Sequence, residues 1–138
     1  MAKKTFPAEL IYLHEMLSFI YENCLLQGFD LNSSEKVILA TEEALVNVIH
    51  HGYPDKRGTI ELVCEKLDVK PGLKISIIDK GIPFDPALKA IKFKQEHPQP
   101  ILDYAIGGYG IYLYAEIMDI IEYQRDNDIN ILILIKYL

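Results

Sequence analysis

Two amphipathic patterns with helical spacing occupy the first 50 residues of this chain, ahead of every substantial strand pattern. Apolar residues recur at three- and four-residue steps over about 8–27, and Gly28 follows as a helix stop. Asn32 and Glu35 resemble a capping box, which predicts a second helix over about 32–50. The sequence therefore predicts a pair of consecutive helices before the main sheet.

The strands are predicted from alternation of apolar and polar residues. Because side chains alternate between the two faces of a strand, Leu73, Ile75 and Ile77 should point to the core, with Asp79 on the same side. The final strand is apolar on both faces, which we attribute to a central place in the sheet, ahead of cover by a second subunit. Strands are predicted at 3–6, 59–67, 73–79, 120–125 and 129–137.

Composition limits the possible functions. A chain of 138 residues with half its residues apolar is expected to form a single domain over 1–138. A net charge of −6, with no clustering of the 14 Lys and Arg residues, argues against direct nucleic-acid binding. Without a signal sequence or membrane span, and with Cys24 and Cys64 reading as buried thiols, a cytoplasmic location is expected.

The second helix carries a polar stripe separate from its apolar face. Glu43, Asn47 and His51 follow one another at four-residue spacing, which aligns them along one side of a helix. On spacing alone, this stripe is more simply a solvated face than a site. The neighbouring His50 lacks the spacing of a zinc site, so helix-end packing is the simpler interpretation for it.

Two later segments carry further candidates. In IDKGIPFD (78–85), a core-facing Asp79 needs a hydrogen-bond donor, which the amine of a purine could supply, and Gly81 would allow a flat ring to approach. A turn aspartate is the competing interpretation. In IGGYGIYL (106–113), Gly107, Gly108 and Gly110 precede a helix predicted at about 110–118, where bare amides suit phosphate oxygens, although they could equally form only a turn.

The order of these segments resembles a known superfamily. TEEALVNVIHHGY (41–53) is similar to the N box, and IDKGIPFD and GGYGIYL to the first and second glycine boxes, of the GHKL ATPases. The arrangement E-A-x-x-N-x-x-x-H-G-Y and the ending I-K-Y-L look most like anti-sigma factor serine/threonine kinases of the RsbW and SpoIIAB type. The resemblance implies an α+β fold, a two-layer sandwich with a mixed, mainly antiparallel sheet covered by helices on one face.

The same resemblance implies roles for individual residues. Asn47 matches the ligand of the Mg²⁺ ion that bridges the ATP phosphates, Glu43 the presumed general base, and Asp79 with Gly81 the adenine-recognising pair. Gly107, Gly108 and Gly110 match glycines that cradle phosphates and hinge an ATP lid, expected at about 86–106. His51 fits the pattern of the N box.

The resemblance further implies an ATP-dependent protein-serine kinase that phosphorylates a STAS-type anti-sigma antagonist and switches to a sigma factor. A homodimer is compatible with it. Two features depart from the pattern: the lid offers Lys89, Lys92 and Lys94 but no arginine, and DIN (128–130) stands where many relatives carry Gly-Thr. Asn130 is therefore a candidate for the adenine side. The alternatives are a non-catalytic module gated by ATP, and a histidine-kinase catalytic domain acting on a separate phosphoacceptor.

Overall fold

The computed structural model describes residues 1–54, 57–83 and 116–138, which form one sheet with helices packed on one of its faces. The elements in chain order are β1 (Ala2–Pro7), a 3-10 turn (Leu10–Tyr12), α1 (Leu13–Leu26), α2 (Leu31–Asn47), a π-helical turn (Val48–Gly52), β2 (Thr59–Lys66), β3 (Gly72–Asp79), β4 (Ile120–Asp126) and β5 (Ile129–Tyr137). The predicted α+β class and the five predicted strands are confirmed.

The sheet has the strand order β1-β2-β3-β5-β4. Every strand pairing in the described ranges is antiparallel, so the expected mixed sheet is not found there. β5 lies between β3 and β4, which confirms the prediction that its apolar character reflects a position inside the sheet.

The core lies between the helices and one face of the sheet. Paired residues share a face, so Leu62, Ile77 and Leu132 form one buried row across three strands, and the row formed by Cys64, Ile75 and Leu134 lies beside it. The helices cover these rows with fully buried side chains, among them Met16, Ile20, Val37, Ala44 and Leu45. A third row, on the other side of the Leu62 row, contains Asp79 and Asn130 and belongs to the site described below.

The two cysteines belong to this core. Cys24 and Cys64 are buried free thiols, as the sequence predicted, and burial raises the pKa of each to about 12. Because only the thiolate is strongly nucleophilic, these thiols act as small apolar groups.

The helix boundaries correct two details of the prediction. α1 begins at Leu13, after the 3-10 turn, rather than near residue 8, while Gly28 ends it with φ of 91°, a left-handed conformation that favours glycine. α2 is capped by Asp30, whose carboxylate accepts a hydrogen bond from the Ser33 amide at 2.7 Å. The predicted cap at Asn32 is wrong because the helix begins at Leu31, which places Asn32 inside its first turn.

The Asp30 cap can be tested against its wrongly predicted neighbour. We expect Asp30→Ala to lower the thermal unfolding midpoint near neutral pH and Asn32→Ala to leave it nearly unchanged, because only Asp30 caps the first turn. The Ser33 hydrogen bond lowers the pKa of Asp30, so this contribution is present above the ordinary value of 3.8 and lost as the pH falls through the lowered value. Unfolding curves of both variants near pH 7 and in acid would check it, and equal midpoints near neutral pH would contradict the assignment.

Candidate functional site

A polar pair occupies the third row of the core face. Asp79, the last residue of β3, is paired directly with Asn130 of β5, and these side chains are 6% and 4% exposed. The Asn130 Nδ2 donates to Asp79 Oδ1 at 2.9 Å, and the Gly81 amide donates to the same oxygen at 2.8 Å. The predicted core-facing orientation of Asp79 is thus confirmed, and its donors come from the protein itself.

The protonation of Asp79 reflects opposing influences. Burial raises the pKa of its carboxyl above the ordinary value, while the hydrogen bonds from Asn130 and Gly81 and the positive charge of Arg125 act in the opposite direction. The result is a carboxyl whose pKa lies above its usual range. Burial therefore disfavours the charged form of this carboxyl, and the hydrogen bonds from Asn130 and Gly81 partly compensate for that cost.

Gly81 is needed for a reason that differs from the one expected. A Cβ at position 81 would lie 2.4 Å from the carbonyl oxygen of Gly52 and 2.7 Å from its Cα, so the two backbones are in direct contact. The Ile82 amide also donates to the Gly52 carbonyl at 2.9 Å. The glycine therefore allows the end of β3 to contact the end of the helical segment directly, apart from any access that it gives to a ligand.

Tyr53 fixes the same junction from the other side. Its hydroxyl donates to the Thr59 carbonyl at 3.1 Å and accepts from the Lys80 amide at 2.7 Å, which links the start of β2 to the end of β3. Burial raises the pKa of this hydroxyl, and the negative charge of Asp79 adds to the effect. The H-G-Y ending of the second helical segment is thus a structural connection to the site.

A small cavity opens beside the polar pair. Apolar side chains form much of its wall, and the polar groups of Asp79, Asn130 and Tyr123 also face it. Its lining residues are Val48, Gly52, Asp79, Ile82, Tyr123, Asn130 and Leu132. In this structure the cavity has room for about one water molecule, so it marks a buried acceptor in apolar surroundings rather than a ligand-sized pocket.

The polar stripe on α2 is regular over Glu43 and Asn47, which are both half-buried. His51 lies in the π-helical turn that follows, where the α-helical hydrogen-bond pattern ends, and it is exposed. Burial raises the pKa of Glu43, with the adjacent Glu42 charge as a second cause. His50 is exposed, so the expected helix-end packing is wrong for it.

Two residues of the site, Tyr123 and Arg125, were missed by sequence reasoning. The Arg125 Nη1 donates to Asn130 Oδ1 at 2.9 Å and to the Gly81 carbonyl at 3.0 Å, and the Tyr123 hydroxyl also donates to Asn130 Oδ1. The signal was present in the DND turn, because the hairpin register it sets puts Arg125 directly opposite Asn130.

Several predicted features fall outside the described residues. These are Gly107, Gly108, Gly110, the lid at 86–106 with its lysines, and most of the helix at 110–118. Within the ranges that the structure describes, no group of three or more His, Cys, Asp or Glu side chains could hold a metal ion, and no helix is long and apolar enough to cross a membrane.

The chain matches the family model for the histidine kinase-like ATPase domain over residues 6–136. It belongs to this family, which confirms the resemblance to GHKL ATPases. It is 30% identical over 112 residues to the serine-protein kinase RsbW of Halalkalibacterium halodurans, covering 80% of this chain and 67% of that protein. The RsbW of Bacillus cereus strain G9842 is 29% identical over 112 residues, which cover 80% of this chain and 68% of the relative.

A solved structure shares the fold. The histidine kinase domain from the Erythrobacter litoralis EL346 blue-light activated histidine kinase superposes with a TM-score of 0.55 at 16% identity. The match covers 93% of this chain but only 60% of that one. At this identity, the likeness supports the two-layer fold alone.

The backbone contact at Gly81 leads to a stability prediction. We expect Gly81→Ala to lower the free energy of unfolding by about 1–3 kcal/mol, because the new Cβ would overlap the Gly52 backbone. Gly52→Ala is the matched control, since a Cβ there has Asp79 Oδ1 as its nearest neighbour at an ordinary 3.5 Å. Urea unfolding would compare them, and a Gly81→Ala variant as stable as Gly52→Ala would contradict the close contact.

The raised pKa of Asp79 predicts a pH dependence. Because the folded state holds this proton more tightly than the unfolded state, the contribution of Asp79 to stability falls as the pH rises from 3.8 through the raised value. Asp79→Asn keeps an oxygen for the Gly81 and Asn130 donors and removes the charge. We expect its stability relative to the wild type to increase from about pH 4 to about pH 7 in urea unfolding. A relative stability that decreases over this interval would reverse the sign and exclude the interpretation.

Proposed function

We propose that this chain is an ATP-dependent protein-serine kinase that also acts as an anti-sigma factor. The observation that carries the proposal is the buried Asp79 carboxylate at the end of β3, held by Asn130 and Gly81 beside an apolar cavity. A carboxylate acceptor in this setting suits the 6-amino group of adenine and disfavours guanine, which has a carbonyl oxygen at that place.

Asn47 and the glycine-rich segment would serve the phosphate side. Asn47 is the last residue of α2 and offers one amide oxygen, which fits a Mg²⁺ ion that takes its other ligands from phosphates and water. Gly107, Gly108 and Gly110 would cradle the phosphates and hinge a lid over about 86–106, and His51 would be a further nucleotide-binding residue. When bound, ATP would supply the phosphoryl group, and the Mg²⁺ ion would neutralise the negative charge of the phosphates.

Glu43 is the proposed general base. It lies one helical turn before Asn47 on the same face, and partial burial raises the pKa of its carboxyl, which makes the carboxylate a better proton acceptor. In this role its carboxylate would accept the proton of an attacking serine hydroxyl while the surrounding helix keeps it in position. The family membership and the serine-protein kinase relatives support a hydroxyl acceptor on a protein.

The proposed partners are those that the resemblance to RsbW-type kinases implies. A STAS-type anti-sigma antagonist would be the phosphorylated substrate, and a sigma factor would be the alternative partner. The chain would act in the cytoplasm without contacting nucleic acid or membrane directly. A homodimer is compatible with these roles. The net charge of −6 is consistent with a protein partner rather than a nucleic acid.

Separate tests of Glu43 and Asn47 would distinguish catalysis from binding. Glu43→Ala should lower phosphotransfer from labelled ATP to a STAS protein by about 10²–10⁴-fold while leaving Mg-ATP affinity nearly intact. Asn47→Ala should weaken Mg-ATP binding itself. Glu42→Ala is the matched control, because this neighbouring half-buried carboxylate lies off the Glu43–Asn47 face. It should keep Mg-ATP affinity and lower transfer far less than Glu43→Ala does, since the Glu42 charge is only the second cause of the raised Glu43 pKa.

The same experiment separates the alternatives. Undiminished transfer by Glu43→Ala would remove the assigned base. ATP binding without any phosphorylated product would indicate a non-catalytic, ATP-gated interaction module. An acid-labile phosphohistidine as product would indicate a histidine-kinase catalytic domain.

A further inference from the structure

The Asn130 side chain has its full hydrogen-bonding capacity filled by the protein. Its Nδ2 donates to Asp79 Oδ1 at 2.9 Å and to the Gly81 carbonyl at 3.1 Å. Its Oδ1 accepts from Arg125 Nη1 at 2.9 Å and from the Tyr123 hydroxyl. Since an amide has two N–H donors and two lone pairs on oxygen, nothing is left over for a direct hydrogen bond to a base.

The chemistry of the neighbours permits only one orientation of this amide. A guanidinium group can only donate, so it requires the amide oxygen, whereas an ionised carboxylate can only accept and requires the NH₂ group. Rotating the amide by half a turn would point its NH₂ group at Arg125 and its oxygen at Asp79. Both contacts would become repulsive, so Arg125 determines which end of Asn130 faces Asp79.

Arg125 is itself held in place by two backbone carbonyls. Its Nε donates to the Asn127 carbonyl at 3.0 Å, and its Nη1 donates to the Gly81 carbonyl at 3.0 Å. Asn127 has φ of 56° at the β4–β5 turn, and Arg125 is paired with Asn130 across the strands. The guanidinium therefore connects the hairpin turn of β4 and β5 to the turn that follows β3.

We infer that Tyr123 and Arg125 are positioning residues for base selectivity, which act through Asn130 to hold the Asp79 carboxylate as the acceptor for a 6-aminopurine. This inference rests on the proposed function, since it concerns the same base site. We assign neither residue a role in the phosphoryl-transfer step. Their effect should be confined to the part of the nucleotide that carries the amine, and the phosphates should bind as before.

The test compares two nucleotides that differ only in the amine. Mg-ATP and the triphosphate of purine riboside, which lacks the 6-amino group, would be titrated into the full chain by calorimetry. A wild-type preference for ATP of about 10–100-fold is expected from one hydrogen bond to a charged acceptor. Tyr123→Phe, which removes only the hydroxyl, should lower the preference several-fold, and Arg125→Met should bring it close to unity.

Two further variants keep the test specific. Arg125→Lys retains a cationic donor and should recover part of the preference. Gln124→Met is the matched control, because it changes an exposed residue of the same strand that points to the opposite face, and it should keep the full preference. In the expected result, Tyr123→Phe and Arg125→Met weaken ATP binding while the purine riboside triphosphate binds with unchanged affinity.

The contrary results differ from one another. If Tyr123→Phe and Arg125→Met keep the full preference, or weaken both nucleotides equally, the positioning role is wrong while the base site stands. If the wild type binds ATP no better than the purine riboside triphosphate, then Asp79 does not read the amine and the proposed base site fails together with the inference.

Discussion

The burial of the Asp79 carboxylate is the constraint to which the neighbouring elements conform. Leaving such a group without donors would cost several kcal/mol, so the end of β3 must bring donors with it. One comes from the Gly81 amide two residues later, and the other from Asn130 across the β3–β5 pairing. The core row that contains Asp79 is consequently polar on two adjacent strands, while the other two rows are apolar and buried.

The helical layer is joined to this strand end by backbone contact rather than by side chains alone. Gly52, at the end of the π-helical turn, touches Gly81 and accepts a hydrogen bond from Ile82, and Tyr53 bridges β2 and the residue after β3. Because these contacts are short and tolerate no side chain at position 81, they fix where α2 ends relative to Asp79. The polar face with Glu43 and Asn47 therefore keeps a constant relation to Asp79 and to the base site proposed there.

Local periodicity explains what the sequence could predict. Strand alternation was sufficient to place Asp79 on the core face, and turn residues located both hairpins, because these signals operate within a few residues. The Asp30 cap was missed because two polar residues two positions apart were both acceptable caps, and only the true helix start decides between them. Arg125 and Tyr123 required the register of β4 against β5, and the need for glycine at 81 required the tertiary approach of Gly52. The DND turn carries a local signal for that register, whereas no local pattern shows the approach of Gly52 to Gly81.

The asparagine of the DIN segment (128–130) then has a physical consequence. The side-chain amide of Asn130 alone could present either its NH₂ group or its oxygen to Asp79. Tyr123 and Arg125 remove that ambiguity, and the Arg125 charge also opposes the effect of burial on the Asp79 pKa without contacting the carboxylate. The guanidinium contacts Asn130 and not Asp79, so its charge offsets part of the effect of burial on the Asp79 pKa without forming an ion pair with the carboxylate. A base-recognising acceptor needs this combination, because a direct salt bridge would occupy the lone pairs that a ligand must reach.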